Sequence, residues 1–164
     1  MTSDPVVHKL SDLLPRSRIV ELQTRDKTAA LQALLDVMAR TGAIKERVAV
    51  EQAIMSREIQ MSTGVGYGVA IPHAKCGSVD RFALALGISQ EGILYGSLVD
   101  DLPVKLIVMV VGPSSLQEEY LRILAMIMRF VKSEKGKILS AFDLAEVHGF
   151  TRPYQSSGGG PSSR

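Results

Sequence analysis

Tryptophan is absent from this 164-residue chain, cysteine occurs once, and aromatic residues make up only 5%. A surface that stacks unpaired bases needs aromatic rings, so this scarcity argues against nucleic-acid binding. Charge argues the same way. The 19 Lys and Arg nearly balance the 17 Asp and Glu, and no run of five basic residues occurs. A lone Cys76 cannot close an internal disulfide, which points to a reducing compartment and makes the cytoplasm the expected location. No apolar stretch reaches the roughly 18 residues that span a bilayer; the longest runs from Leu106 to Gly112. The N-terminus lacks the basic-then-apolar pattern of a targeting peptide. Membrane insertion is therefore not expected either.

What the chain does have is apolar content of 46%, enough for one well-packed core in a length too short for two ordinary domains. Residues 1–7 carry little pattern and are expected to be flexible, with the folded domain over residues 8–150. Lys9 to Leu14 reads as a helical turn or two before Pro15, and Ile19 to Leu22 as a short strand. Thr24 is placed to cap a helix running to about Arg40, with Ala30, Leu31, Leu34, Leu35 and Met38 on one face and Gly42 as its stop. A second helix, from about Lys45 to Glu58, sets Val50, Ala53, Ile54 and Arg57 at steps of three and four.

Val69 to Ile71, Phe82 to Ser89 and Val104 to Val111 read as strands. In the second of these, Phe82, Leu84, Leu86 and Ile88 alternate with Ala83, Ala85 and Gly87, as in a strand covered on both faces. The nearly unbroken apolar run from Val104 marks the centre of a sheet. Ser115 to Glu118 reads as a capping box ahead of a helix to about Lys132, with Leu121, Leu124, Ala125 and Met128 as its apolar stripe. Lys135 to Phe142 and Leu144 to Val147 read as further helix. From Thr151 the chain turns to Ser, Gly and Pro, and residues 151–164 are expected to form a disordered tail. Helices alternating with apolar strands predict an α/β domain of three layers.

Ala70-Ile71-Pro72-His73-Ala74 is the stretch that speaks of chemistry. It ends a short strand on a single imidazole, five residues past the last of the alternating glycines Gly64, Gly66 and Gly68. Upstream stand Arg57 at a helix end and the hydroxyls of Ser62 and Thr63. Guanidinium, hydroxyls and backbone N–H groups of a glycine loop are the donors that a phosphoryl group on an imidazole nitrogen requires. The order of elements excludes a dinucleotide fingerprint, in which the glycine loop leaves a strand and opens a helix; here a helix comes first and a strand follows. Gly136-Lys137 lacks the rest of a Walker A sequence. His73 and Cys76 are two ligands where a structural zinc needs four, so no metal and no cofactor are expected. Lys75 reads as a surface charge, Cys76 as a packing residue, and His8 and His148 as solvated.

The run from Glu58 through Val65-Gly66 to Val69-Ala70-Ile71-Pro72-His73-Ala74 resembles the signature of the phosphotransferase-system enzyme IIA components of the fructose, mannitol and nitrogen-regulatory type. Over roughly residues 8–148 the resemblance implies an α/β/α sandwich with a mixed central sheet. It also implies that His73 is the phosphorylated residue; Arg57 is then read as neutralising the phosphoryl oxygens, with Ser62, Thr63 and the N–H groups of Gly64 and Gly66 as donors. Many members carry a second histidine near the first; at the matching place this chain has Tyr120, which can donate a hydrogen bond to phosphate but cannot become cationic.

Two readings follow from the resemblance. One is a phosphocarrier that accepts a phosphoryl group from a histidine-containing phosphocarrier protein. The other is a regulatory module of the same fold that is poorly phosphorylated. The chain's stand-alone length is more like the nitrogen-regulatory branch, which implies potassium-transport proteins or sensor kinases as partners; a sugar-specific IIB component is the transport alternative.

Overall fold

The computed structural model describes residues 6–156. Five helices, α1 (Leu10–Leu13), α2 (Lys27–Arg40), α3 (Arg47–Gln60), α4 (Gln117–Leu139) and α5 (Leu144–Gly149), enclose six strands. The strands are β1 (Ile19–Glu21), β2 (Gly64–Gly66), β3 (Val69–Ala70), β4 (His73–Lys75), β5 (Ala83–Ile93) and β6 (Val104–Gly112). They form one sheet in the order β1-β5-β6-β3-β2, with β4 also on β6. The sheet is mixed: β1 runs parallel to β5, β3 and β4 run parallel to β6, and the pairs β5/β6 and β2/β3 are antiparallel.

Residue size along β5 sets the two layers around this sheet. Leu84, Leu86 and Ile88 face a core shared with α1, α4 and α5, whereas Ala83 and Ala85 face a second core shared with α2 and α3. The small face lets α2 approach closely. A Cβ at Gly87 would lie 2.5 Å from Leu22 Cδ1 and 3.2 Å from Leu34 Cδ2, so side-chain atoms already occupy the space. The result is the three-layer α/β/α sandwich expected from the sequence.

Several details differ from the sequence reading. Asp26, not Thr24, caps α2, accepting from Ala29 N–H at 2.8 Å, while Thr24 Oγ1 accepts from Asp26 N–H and shapes the turn before it. α4 begins at Gln117 behind Leu116, with no side-chain cap, so the Ser115 box does not form. It runs on to Leu139, absorbing the segment expected as a separate helix from Lys135. Its buried stripe is Tyr120, Ile123, Ile127, Phe130 and Val131, about one residue out of phase with the expected one, and Leu121 and Met128 are exposed.

The segment beginning at Thr151, expected to be a disordered tail, is packed as far as it is described. Thr151 and Ser156 are buried, Tyr154 sets its ring edge-on to Phe130 at 5.2 Å, and Ser156 N–H donates to His8 O at 2.8 Å. An aromatic ring and a backbone bridge between Lys9 and Gln155 hold what composition alone assigns to a loose end. Residues 157–164, and 1–5 of the expected flexible N-terminus, lie outside the described residues; Val6 and Val7 are exposed and in no helix or strand. No helix among the described residues is long and apolar enough to cross a membrane.

Candidate functional site

β3 and β4 are two pieces of one strand lying along β6, interrupted at Ile71-Pro72. Proline has no N–H to give the ladder, so the pairing breaks there and resumes at His73, which stands opposite Val110. Pro72 still accepts from Val110 N–H at 2.9 Å, and Ile71 N–H donates to Thr63 O at 3.0 Å. The break is thus pinned from both sides. It leaves the Ile71 carbonyl free of the ladder on β6, and His73 Nδ1 lies 2.7 Å from that oxygen. A carbonyl only accepts, so Nδ1 carries the proton and the lone pair of the neutral ring is on Nε2.

His73 lines a cleft of about 380 Å³ together with Ser56, Arg57 and Gln60 of α3, Lys75 of β4 and Tyr120 of α4. Two cations therefore border one imidazole. Arg57 is half-buried, with Nη1 donating to Met61 O at 2.8 Å, which closes the end of α3 and holds the guanidinium at the cleft. Lys75 donates to the Gln117 side chain and sits 5.7 Å from the centre of the Tyr120 ring.

The Tyr120 ring is 6.2 Å from that of His73 and is backed by Phe82 at 6.4 Å. Gly112 makes this backing possible, because a Cβ there would fall 2.4 Å from Phe82 Cε1. Burial pushes the Tyr120 phenol up to about 12, against the opposing pull of the nearby Arg57 charge. The phenol stays protonated through the neutral range, a donor and not a proton shuttle.

The cleft gathers His73, Arg57 and Tyr120 from the residues singled out in the sequence, and leaves the others elsewhere. Ser62 Oγ accepts from Gly64 N–H at 3.2 Å and shapes the loop. Thr63 is buried, its hydroxyl donating to Glu58 Oε2 at 2.5 Å and lying 2.8 Å from the Tyr95 hydroxyl. Gly64 and Gly66 face the loop after β5: a Cβ at Gly64 would meet Ser97 at 2.8 Å, and one at Gly66 would meet Val99 at 2.9 Å. The glycines leave room for the loop after β5, chiefly for the side chains of Ser97 and Val99, and they do not line the histidine cleft.

Two residues carry more than the sequence reading gives them, Lys75 as a surface charge and Glu58 only as the start of the motif. Lys75 lies two residues beyond His73 on the same short strand, hence on the same face, and strand periodicity would have placed it at the cleft. Glu58 is the hub of a network that holds the loop leading to the site. Its side chain is 6% exposed and accepts from Thr63 N–H at 2.9 Å, from the Thr63 hydroxyl, and from Lys27 Nζ at 2.8 Å. Burial raises the Glu58 carboxyl, but the hydrogen bonds from Lys27 and Thr63 outweigh it and hold the group below its usual range. Tyr95 closes the network, its phenol pushed up chiefly by burial, with the Lys27 ammonium 4.3 Å from its ring centre.

The two other histidines are not solvated as expected. His8 Nε2 is 2.9 Å from Glu119 Oε2, with the ring edge-on to Phe82 at 5.4 Å, and His148 Nε2 is 3.4 Å from Ser11 O. The packed C-terminal segment draws the chain around His8 onto the body. Cys76 packs partly against the α2/α3 core. Among the described residues, no group of three or more His, Cys, Asp or Glu is placed to hold a metal ion.

Fold and cleft together define an α/β protein organised around one histidine at a strand break, with cations and a phenol gathered about its ring. Residues 13–150 match the family described as "Phosphoenolpyruvate-dependent sugar phosphotransferase system, EIIA 2", and the chain belongs to that family of phosphocarrier and regulatory domains. It is 35% identical over 138 residues to the fructose-specific EIIA component of Haloferax volcanii, a match covering 82% of this chain and 89% of that protein. To the fructose-specific EIIABC component of Bacillus subtilis it is 33% identical over 128 residues, 77% of this chain but only 20% of that longer protein. Among solved structures, the nitrogen regulatory protein IIA-Ntr of Neisseria meningitidis is similar at a TM-score of 0.77 and 26% identity, covering 86% of this chain and 97% of the other.

Proposed function

We propose that this chain is a phosphocarrier that accepts a phosphoryl group on His73 Nε2 from the phosphohistidine of a histidine-containing phosphocarrier protein. The observation that carries this reading is the 2.7 Å contact between His73 Nδ1 and the Ile71 carbonyl, which assigns the nucleophilic lone pair to the other ring nitrogen. In the transfer, Nε2 attacks phosphorus in line. The bond to the donor's imidazole breaks, and that imidazole leaves with the electron pair. The His73 ring gains positive character, which the Ile71 carbonyl stabilises through the retained Nδ1 proton. Arg57 and Lys75 neutralise the phosphoryl oxygens and the Tyr120 hydroxyl donates to one of them; positioning and charge do most of the work in such a step. Ser62, Thr63, Gly64 and Gly66 serve by fixing the loop rather than by touching phosphate.

A protein donor must dock around the cleft, and exposed apolar side chains on the bordering segments suit it. Ile59 and Met61 stand at the end of α3, and Leu116, Leu121 and Met128 stand at and along the start of α4. Onward partners are a sugar-specific IIB component, or the potassium-transport proteins and sensor kinases expected of the nitrogen-regulatory branch. Phosphorylation adds up to about two negative charges at the cleft and so selects between partners. The site of action is the cytoplasm.

A second reading, a regulatory module that is poorly phosphorylated, is favoured by Tyr120, because a phenol cannot take over the proton-bearing role of a second imidazole. Incubation with phosphoenolpyruvate, enzyme I and the carrier protein, followed by mass spectrometry under non-acidic conditions, separates the two. Gain of one acid-labile phosphoryl group, lost in His73→Ala, supports the carrier; no gain supports the module.

A further inference from the structure

We propose that the cavity floored by Arg18 is a binding site for a small anionic metabolite, and that Phe82 and Tyr120 relay its occupancy to His73. The cavity, about 550 Å³, lies between the loop after α2 (Thr41 to Lys45) and the loop joining β4 to β5 (Gly77 to Phe82). Arg18, one of its lining residues, is held by three hydrogen bonds: Nε donates to Leu84 O at 2.9 Å, Nη2 to Leu13 O at 3.1 Å and Nη1 to Thr41 Oγ1 at 3.5 Å.

All three acceptors are neutral, and among the described residues no carboxylate lies within ion-pair distance of the guanidinium. Burial draws Arg18 below its ordinary value, the mark of a partly desolvated cation without a counter-ion. Of the five N–H donors of a guanidinium, three are engaged and two, one on each Nη, remain. A pre-oriented fork of this kind matches a carboxylate or phosphate edge.

Lys45 and Arg81 line the same cavity and add positive charge, while Asp12 and Asp80 offer acceptors. None of these four is ion-paired among the described residues. Three cations against two carboxylates select an anionic group carried on a molecule with hydroxyl or amino donors of its own. The glycine at position 42, with φ of +78° and open space where a Cβ would stand, keeps the mouth of the cavity clear.

The route to His73 is short and stiff. Phe82 is at once a wall of the cavity and the ring stacked on Tyr120, which in turn faces His73. Gly112 leaves no slack behind that stack, since even a methyl group there would overlap Phe82. The backbone makes a second link, because β4 carries His73 and ends at Lys75, and the next residue, Cys76, whose N–H donates to Gly112 O at 3.0 Å, leads straight into the cavity loop.

The test is a nuclear magnetic resonance titration of the full ¹⁵N-labelled chain with no phosphoryl donor present, so that the outcome does not depend on phosphorylation. Inorganic phosphate and citrate are added separately, with chloride at matched ionic strength as the reference. Saturable shifts at the amides of residues 41–45 and 77–82 are expected, with Tyr120 and His73 moving at the same midpoint and ceasing to move at that concentration in Lys45→Glu with Arg81→Glu, and the tighter of the two probes identifies the anion class. Lys45→Glu with Arg81→Glu should weaken that binding by about tenfold or more, whereas the equally charged pair Lys132→Glu with Arg152→Glu should leave it unchanged. Shifts that fail to saturate, or that weaken equally in both double variants, overturn the site. Saturation at the cavity with Tyr120 and His73 unmoved, or moving unchanged in Lys45→Glu with Arg81→Glu, overturns the relay.

Discussion

Removing the Glu58 carboxylate tests whether the loop that carries the site is clamped by charge. In Glu58→Ala, Thr63 loses the acceptor of its N–H and one partner of its hydroxyl, and Lys27 loses its only ion-pair partner among the described residues. Hydrogen bonds to charged groups contribute about 1.5–3 kcal/mol each, and a buried donor left unsatisfied costs about 1–3 kcal/mol. These overlap and do not sum. The Thr63 hydroxyl keeps Tyr95, and Lys27, a quarter exposed, regains water. A net cost of about 3 kcal/mol results, or about 9 °C in Tm for a domain of this size.

Glu58→Gln keeps the shape and loses only the charge, so at pH 7 it should cost about 1–2 kcal/mol. Because the folded carboxyl is held below its ordinary value, its stabilisation is present above the unfolded pKa of about 4.3 and is lost as pH falls through the lower folded value. The gap between wild type and Glu58→Gln should therefore narrow from pH 5 downward. Urea unfolding followed by circular dichroism reads both quantities. A Glu58→Ala variant within about 0.5 kcal/mol of wild type, the range of ordinary surface substitutions, would refute the clamp, as would a gap that stays constant with pH.

Tyr120→Phe should leave Tm within a few degrees and slow phosphorylation of His73 by about tenfold, the worth of one hydrogen bond to a charged group; an unchanged rate would exclude the phenol from the reaction. With its value pushed up to about 12, Tyr120 contributes stability below pH 10 that is lost as pH rises toward that value; alkaline unfolding should be less steep in Tyr120→Phe. Truncation after Phe150 removes the Tyr154 ring from Phe130 and the Ser156 link to His8, and should cost about 3 kcal/mol, near the value of one buried aromatic side chain with its pairing. Thermal unfolding checks it, and an unchanged Tm would show that the segment only rests on the body.

Local pattern carried much of this structure and failed where distance in sequence mattered. The large-small alternation of β5 is written in its own residues, so its two-sided burial was legible, as were α2 and the central strand from Val104. α4 was found but rotated, because Leu121, Leu124 and Met128 form an apolar stripe as regular as Ile123, Ile127 and Phe130, and only the sheet beneath decides which is buried. β2 and β4, three residues each, exist through their partners. The glycines at 64 and 66 announced close approach without saying to what, and the answer lies more than thirty residues on, at Ser97 and Val99. The pairing of Gln155 with Lys9 joins the two ends of the described chain and leaves no local trace. That His73, Arg57 and Tyr120 share one cleft was legible because Arg57 and His73 lie beside and within one motif and the family resemblance points to the place of Tyr120.

Nitrogen-resolved spectroscopy of the phosphorylated chain tests the central claim most directly. With ¹⁵N-labelled histidine, the enzyme I and carrier-protein reaction should place phosphorus on Nε2 of His73, with coupling to that nitrogen alone and a proton retained on Nδ1. Phosphorus on Nδ1, on His8 or on His148 would contradict the account.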